Sequence, residues 1–213
     1  MSLGEFESFA GRLRERLHEP LPGASAHEPL RAVPTGAVRP NFQHQVPPKA
    51  GSVLILLYPS QDQILFPLIK RPEYLGAHSG QVSLPGGKAE PGEELMDTAL
   101  REAWEEIGVD RSALEVIGRL SDFFVIPSNF LVTPFVAVAR QPITLSPDPI
   151  EVERILHGSL SALVADDAVR VRDIMAARVF PMRAPHFEIE GEVVWGATAM
   201  MLNELRLVTR DIR

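Results

Sequence analysis

The chain has 213 residues, 45% of them apolar and 23% charged, which suits one full-sized core and includes no apolar run long enough to cross a bilayer. A formal net charge of −7 argues against broad nucleic-acid binding, and the lack of cysteine excludes disulfides, thiolate metal sites and cysteine nucleophiles. Oxygen and imidazole ligands remain, so any metal is expected to be a hard one.

The start, MSLGEFESFAGRLRERL, carries Glu5, Glu7, Arg12, Arg14 and Glu15 where a secretory signal needs an uncharged apolar stretch, so a cytoplasmic location is expected. Phe6, Phe9, Leu13 and Leu17 recur at helical spacing and predict a short amphipathic helix. From Glu19 to Ala50 lie seven of the 19 prolines, and the stretch reads as an extended arm that can drape over the domain or join a partner chain, leaving a homodimer open. Residues 1–48 are therefore read as N-terminal helix and arm, and 49–213 as the main domain. SVLILLYP is a continuous apolar run suited to a buried strand, and QILFPLIKR follows as its hairpin partner, with Pro67 favouring an edge or a bulge. LEVIGRLSDFFV and FLVTPFVAVA supply strands on either side of a turn at Pro127 to Asn129, and the adjacent Phe123 and Phe124 read as one core and one surface residue. SLSALVADD reads as a short helix, HFEIEGEVVWG as a hairpin, and Ala197 to Val208 as a closing amphipathic helix. Interleaved strands and helices predict a mixed α/β sheet with helices on its faces.

Between these lies GGKAEPGEELMDTALREAWEEIGV. On a helix over Glu94–Ile107, Met96, Leu100, Ala103 and Ile107 fall within about 60° of one another with Trp104 close by, an apolar face directed at a core. Glu102, Glu105 and Glu106 gather on the far arc, as i, i+3 and i+4 spacing requires. Glu105 and Glu106 also occupy the last turn before Gly108, the expected C′ glycine, where the helix dipole favours cations. The preceding glycine-rich stretch lacks the Lys and Ser/Thr of a phosphate-binding loop and the spacing of a dinucleotide fingerprint, so the carboxylates point instead to divalent cations with hard oxygen ligands.

Gly87, Glu93 and the run Arg101-Glu102-Ala103-Trp104-Glu105-Glu106-Ile107-Gly108-Val109 resemble the Nudix box of the Nudix hydrolases, with Ala103 where a larger aliphatic is usual. Upstream, LIKRPEYLGAHSGQVSLPGG is similar to the segment marking the coenzyme A pyrophosphatase subgroup, with Pro72 in place of a small hydroxyl residue. Downstream, EVERILHGSLSAL is similar to the Nudix stretch in which a Glu-Val pair precedes a short helix, with Gly158 and Ser159 departing from it. The resemblance covers Ser52 to Leu163. It implies an α/β/α sandwich whose loop-helix-loop binds Mg²⁺ or Mn²⁺, and hydrolysis of a nucleoside diphosphate linked to another moiety. In the subgroup, that substrate is coenzyme A or a thioester, cleaved to 3′,5′-ADP and a phosphopantetheine species. Other diphosphate substrates and a nucleotide-sensing module without turnover are the alternatives; neither a nucleic acid nor a membrane is an expected partner.

On this resemblance Glu102, Glu105 and Glu106 are the candidate metal ligands, and one of them, or a glutamate on a later loop, takes the proton of the attacking water. Glu93 would curl back to Arg101 and orient the loop on the helix, while Gly86 and Gly87 supply unusual backbone or close approach. Arg71, Lys70, Lys88 and His78 are candidates for phosphate contact. Glu151 and Glu153, after SPDP, are placed on a loop that can approach the metal.

Overall fold

The computed structural model describes residues 2–37, 42–73, 80–141 and 143–212. Its first helix, α1 (Leu3–Leu17), starts at Ser2, whose hydroxyl and backbone exchange hydrogen bonds with Glu5 in a capping box. Phe6, Ala10, Leu13 and Leu17 form its buried face, and each large apolar side chain so buried contributes about 1.5–3 kcal/mol.

The stretch read as an extended arm is in part helical. A single turn, α2 (Ala24–His27), runs into a 3₁₀ turn over Glu28–Leu30, where Pro29 sits in the first turn and its missing N–H interrupts no ladder. Ala26, His27 and Leu30 are buried, and Leu30 joins the same core cluster as α1. The chain then adds a two-residue strand, β1 (Val33–Pro34), to the later strand at Met182 and Arg183.

The remaining elements are β2 (Lys49–Ser60), β3 (Gln63–Lys70), β4 (Val82–Ser83), β5 (Gly86–Lys88), α3 (Leu95–Ile107), β6 (Glu115–Arg119), β7 (Phe123–Val125) and β8 (Phe130–Val138). They are followed by β9 (Arg154–Ser159), α4 (Leu160–Leu163), β10 (Arg170–Ala176), β11 (Phe180–Ile189), β12 (Glu192–Val194) and α5 (Gly196–Arg210). Strands β2 to β9 form one mixed sheet: β2 runs parallel to β8 and antiparallel to β3 and β5, while β6 and β7 pair with β8, and β4 and β9 with β3. The expected hairpin of β2 and β3 is present, and Pro67 lies where β3 pairs with β9 on one side only. A smaller sheet joins β1, β11, β10 and β12.

Alternation along β2 sends its side chains to two separate cores. Leu54 and Leu56 meet α3 through Ala99, Leu100, Ala103 and Ile107, whereas Ile55 and Leu57 meet α1 and α5 on the opposite face. The result is the α/β/α sandwich. No helix among the described residues is long and apolar enough to cross a membrane.

Fully buried Glu204 on α5 binds the N-terminal segment to this sandwich. Its carboxylate accepts from Gly23 N (2.9 Å), His27 Nε2 (3.0 Å), Ser121 N (3.2 Å) and Ser121 Oγ (2.6 Å).

Candidate active site

Helix α3 ends as its sequence prescribes, with Gly108 at φ 67° donating to the Trp104 carbonyl. Two further carbonyls of its last turn are capped from outside, Ile107 by Ser146 N (2.9 Å) and Glu106 by Asp148 N (3.0 Å). Its buried face is turned from the expected one. Ala99, Ala103 and Ile107 carry it together with Leu100, while Met96 and Trp104 are exposed. The two alanines let the helix lie close on β2, and the rotation moves Glu106, seven residues after Ala99, to the edge of the core.

Glu106 therefore departs from the solvated arc read from the wheel: it is 1% exposed. Its Oε2 accepts from Gly86 N (2.8 Å) and its Oε1 from Arg71 Nη2 (3.2 Å). Burial pushes this carboxyl up to about 7; the Gly86 amide and Arg71 oppose the rise, and the charges of Glu102 and Glu151 add to it. Glu102 is also raised, by burial first, with Arg101 opposing and Glu105 and Glu151 adding.

The glycine turn is built around these carboxylates. Gly86 has φ +153°, and a Cβ there would stand 2.3 Å from the Ser52 carbonyl oxygen, so both backbone and space require glycine. At Gly87 a Cβ would come within 2.5 Å of the Glu102 carboxylate carbon, so the glutamate lies directly on the turn.

Arg101 organises the remainder. Its Nε and Nη2 grip both oxygens of Glu93 (2.8 and 3.0 Å), while Nη1 bridges Glu102 (2.9 Å) and Glu105 (3.0 Å). The curl of Glu93 back onto the helix is thus present. Arg101, the Glu90 amide and Thr98 hold Glu93 down at about 2. Arg101 Nη2 also reaches the Lys88 carbonyl (3.3 Å), which ties the loop to the helix through the backbone of a residue whose side chain is exposed.

Among the other candidates, Arg71 faces Glu106, and His78 lies outside the described residues. Lys70 is turned away from the carboxylates onto Glu153 (3.3 Å) and Glu192 (3.1 Å), which neutralise it. Glu153 is thereby also directed elsewhere. Glu151, on the turn after Pro149, adds its charge to the rise of both Glu102 and Glu106. Sequence reasoning passed over Thr98, a buried hydroxyl donating to Glu93 (2.8 Å); its place in the first turn of the helix, five residues after Glu93, was the available signal.

As they stand, the carboxylates are satisfied by Arg101, Arg71 and the Gly86 amide, and no three His, Asp or Glu side chains among the described residues form a ready cage. The donor set nevertheless fits a hard divalent cation: three carboxylates share one helix end, two are held above their ordinary pKa by burial, and a cation would relieve that cost. A cavity of about 350 Å³ lined by His157, Ser159, Arg170, Phe187 and Glu190, among others, shares none of these residues.

Fold and site together define a loop-helix-loop enzyme of the α/β/α class, with its acidic centre on a glycine turn. The sequence pattern of the NUDIX domain matches residues 48–167, more than half of the chain, and the protein belongs to the Nudix hydrolase family. A Nudix hydrolase designated NudL from Photorhabdus laumondii is 29% identical over 174 residues, covering 77% of this chain and 91% of that protein. Nudix hydrolase 15 of Arabidopsis thaliana, a mitochondrial protein, is 35% identical over 177 residues, 77% of this chain and 60% of the longer plant protein. Among solved structures, the Nudix hydrolase RenU of M. smegmatis shares the fold with a TM-score of 0.55 at 17% identity, over 79% of this chain and 89% of that one. The relatives are Nudix hydrolases, and this chain is an enzyme of that family.

Proposed function

We propose that the enzyme hydrolyses the pyrophosphate bond of coenzyme A or its thioesters, with Mg²⁺ or Mn²⁺, to 3′,5′-ADP and (acyl)phosphopantetheine. The observation that carries the hydrolytic part is the buried Glu106 carboxylate, held by Gly86 N and Arg71 beside Glu102 and directly against the glycine turn. The segment LIKRPEYLGAHSGQVSLPGG supports coenzyme A within the family, and Pro72 within it favours other nucleoside diphosphates as the second reading.

Glu102, Glu105 and Glu106 would hold the metal. When bound, the ion supplies positive charge toward the pyrophosphate and lowers the pKa of a water. The chain's own groups do the rest. Arg101 fixes Glu93 and the Lys88 carbonyl so that the loop keeps its place on the helix, and Gly86 and Gly87 let the turn close on β2 and on the Glu102 carboxylate. One of the glutamates, or Glu151 on its separate turn, accepts the proton of the attacking water. Arg71, at the rim of the carboxylates, stabilises negative charge on the phosphates.

The test is product analysis after incubation with coenzyme A, a dinucleotide polyphosphate and ADP-ribose, each with Mg²⁺ and then Mn²⁺. Formation of 3′,5′-ADP and phosphopantetheine at the highest kcat/KM supports the coenzyme A reading. Faster cleavage of either competitor transfers the assignment to it, and binding without product from any of the three would make the chain a sensor.

A further inference from the structure

We propose that the exposed strip formed by Ala50, Leu131 and Phe124 is the seat of the substrate's purine base, with Phe124 as the stacking surface. The inference rests on the hydrolase reading and adds a specificity-determining site to it.

The strip follows from register. Gly87 of β5 lies opposite Ser52 of β2, and Ser52 opposite Thr133 of β8, so these residues form one row across the sheet. The row faces the catalytic side, because the missing Cβ of Gly87 points at the Glu102 carboxylate and the same parity of β2 supplies Leu54 and Leu56 to the α3 core. Two residues along, the next row on that face begins at Ala89, whose amide donates to the Ala50 carbonyl, and continues through Ala50, Leu131 and Phe124.

This second row is open. Leu131 is 43% exposed and Phe124 40%, side by side on paired strands, while Thr133 and Ser52 in the first row are buried. A lone exposed apolar residue is ordinary, but here a leucine and a phenylalanine lie directly opposite each other beyond two alanines that leave the approach low. Phe123, the neighbour on the other face, is partly buried and meets the His27 ring edge-on at 5.0 Å, so the two aromatics divide between core and surface.

The separation fits one nucleoside. Strand spacing and the two-residue repeat put the backbone of Leu131 about 12 Å and that of Phe124 about 16 Å from Gly87. A pyrophosphate at the glycine turn with its ribose directed along the sheet lays the base across Leu131 onto the Phe124 ring. The alanines leave room for the sugar. Asp122, whose carboxylate accepts from Thr133 Oγ1 (2.7 Å), stands beside this path and can accept hydrogen bonds from the base or ribose.

Stacking on an aromatic side chain changes affinity roughly five- to a hundred-fold on truncation to alanine. Phe124→Ala should therefore raise KM for coenzyme A about ten-fold or more with kcat within two-fold, and Phe124→Trp should restore KM. The tryptophan variant also gives a readout independent of turnover: 3′,5′-ADP added without metal should quench its fluorescence beyond the wild-type response, and base-free 4′-phosphopantetheine should not. An unchanged KM in Phe124→Ala, or equal quenching by both compounds, would overturn the proposal. If wild type cleaves none of the diphosphates yet 3′,5′-ADP alone quenches Phe124→Trp, the hydrolase reading fails and the base seat stands.

Discussion

Replacing Glu204 by glutamine tests how the N-terminal segment is held. The carboxylate is fully buried and takes four hydrogen bonds, from the Gly23 amide, His27 and both Ser121 donors. Glutamine keeps the shape but presents an N–H₂ to one pair of donors, so either Gly23 N and Ser121 Oγ, or His27 and Ser121 N, lose their acceptor. Breaking a buried charged network on one side costs about 3–5 kcal/mol, and glutamine retains part of it, so a loss of about 3 kcal/mol is expected. For a chain of this size that lowers Tm by roughly 6–12 °C, measurable by calorimetry or urea titration at pH 7. The acid limb should change as well. Burial alone would raise the Glu204 pKa, but the bonds from His27, Ser121 and Gly23 leave it lowered in the folded state. Its contribution is thus present above the unfolded value near 4.5 and lost as pH falls through the folded one, and the glutamine variant should lack that part of the acid destabilisation. Equal Tm and equal acid profiles for the two proteins would refute the idea that this carboxylate carries the attachment.

The adjacent glycines should separate by phenotype. Gly86→Ala meets the Ser52 backbone at 2.3 Å and is expected to prevent folding, whereas Gly87→Ala meets only a movable carboxylate, so it should fold, shift Glu102 and weaken Mn²⁺ binding in calorimetric titration. Arg101→Lys removes the two-pronged grip on Glu93 together with the bridge to Glu102 and Glu105; kcat should fall at least ten-fold while the far-ultraviolet circular dichroism spectrum is retained. Lys70→Met should leave KM unchanged within two-fold and lower urea stability by about 1 kcal/mol, because Lys70 joins Glu153 to Glu192 rather than meeting substrate.

Much of the layer arrangement is legible in local pattern. The alternation and length of β2, the helical spacing in α1 and α5, the turn between β11 and β12, and the glycine after α3 each carry their own signal. Strand β9 does not, since Gly158 reads as a breaker; it is glycine because the Phe66 ring would lie 2.3 Å from a Cβ there. Strand β10 alternates too weakly to stand out, with both of its faces largely exposed, and is defined by its pairing with β11. In the candidate site the grouping of the glutamates follows from spacing, whereas the return of Glu93 to Arg101, eight residues on, is implied by the resemblance to the Nudix box and not by the helix wheel. The depth of Glu106 follows from neither, because Gly86 and Arg71 reach it from 20 and 35 residues away. The same holds for Lys70: the acidic partners that take it from the phosphate candidates lie on β12 and on the chain leading into β9.

On the proposed function, the glutamates at the end of α3 perform metal-dependent cleavage of a phosphoanhydride. The most direct measurement is single-turnover hydrolysis of coenzyme A in saturating Mg²⁺ by wild type, Glu105→Gln and Glu106→Gln, each shown to be folded by circular dichroism. The expected result is rapid release of 3′,5′-ADP by wild type, none after metal is chelated, and a rate at least a hundred-fold lower in Glu106→Gln. Undiminished turnover in both glutamine variants would contradict it.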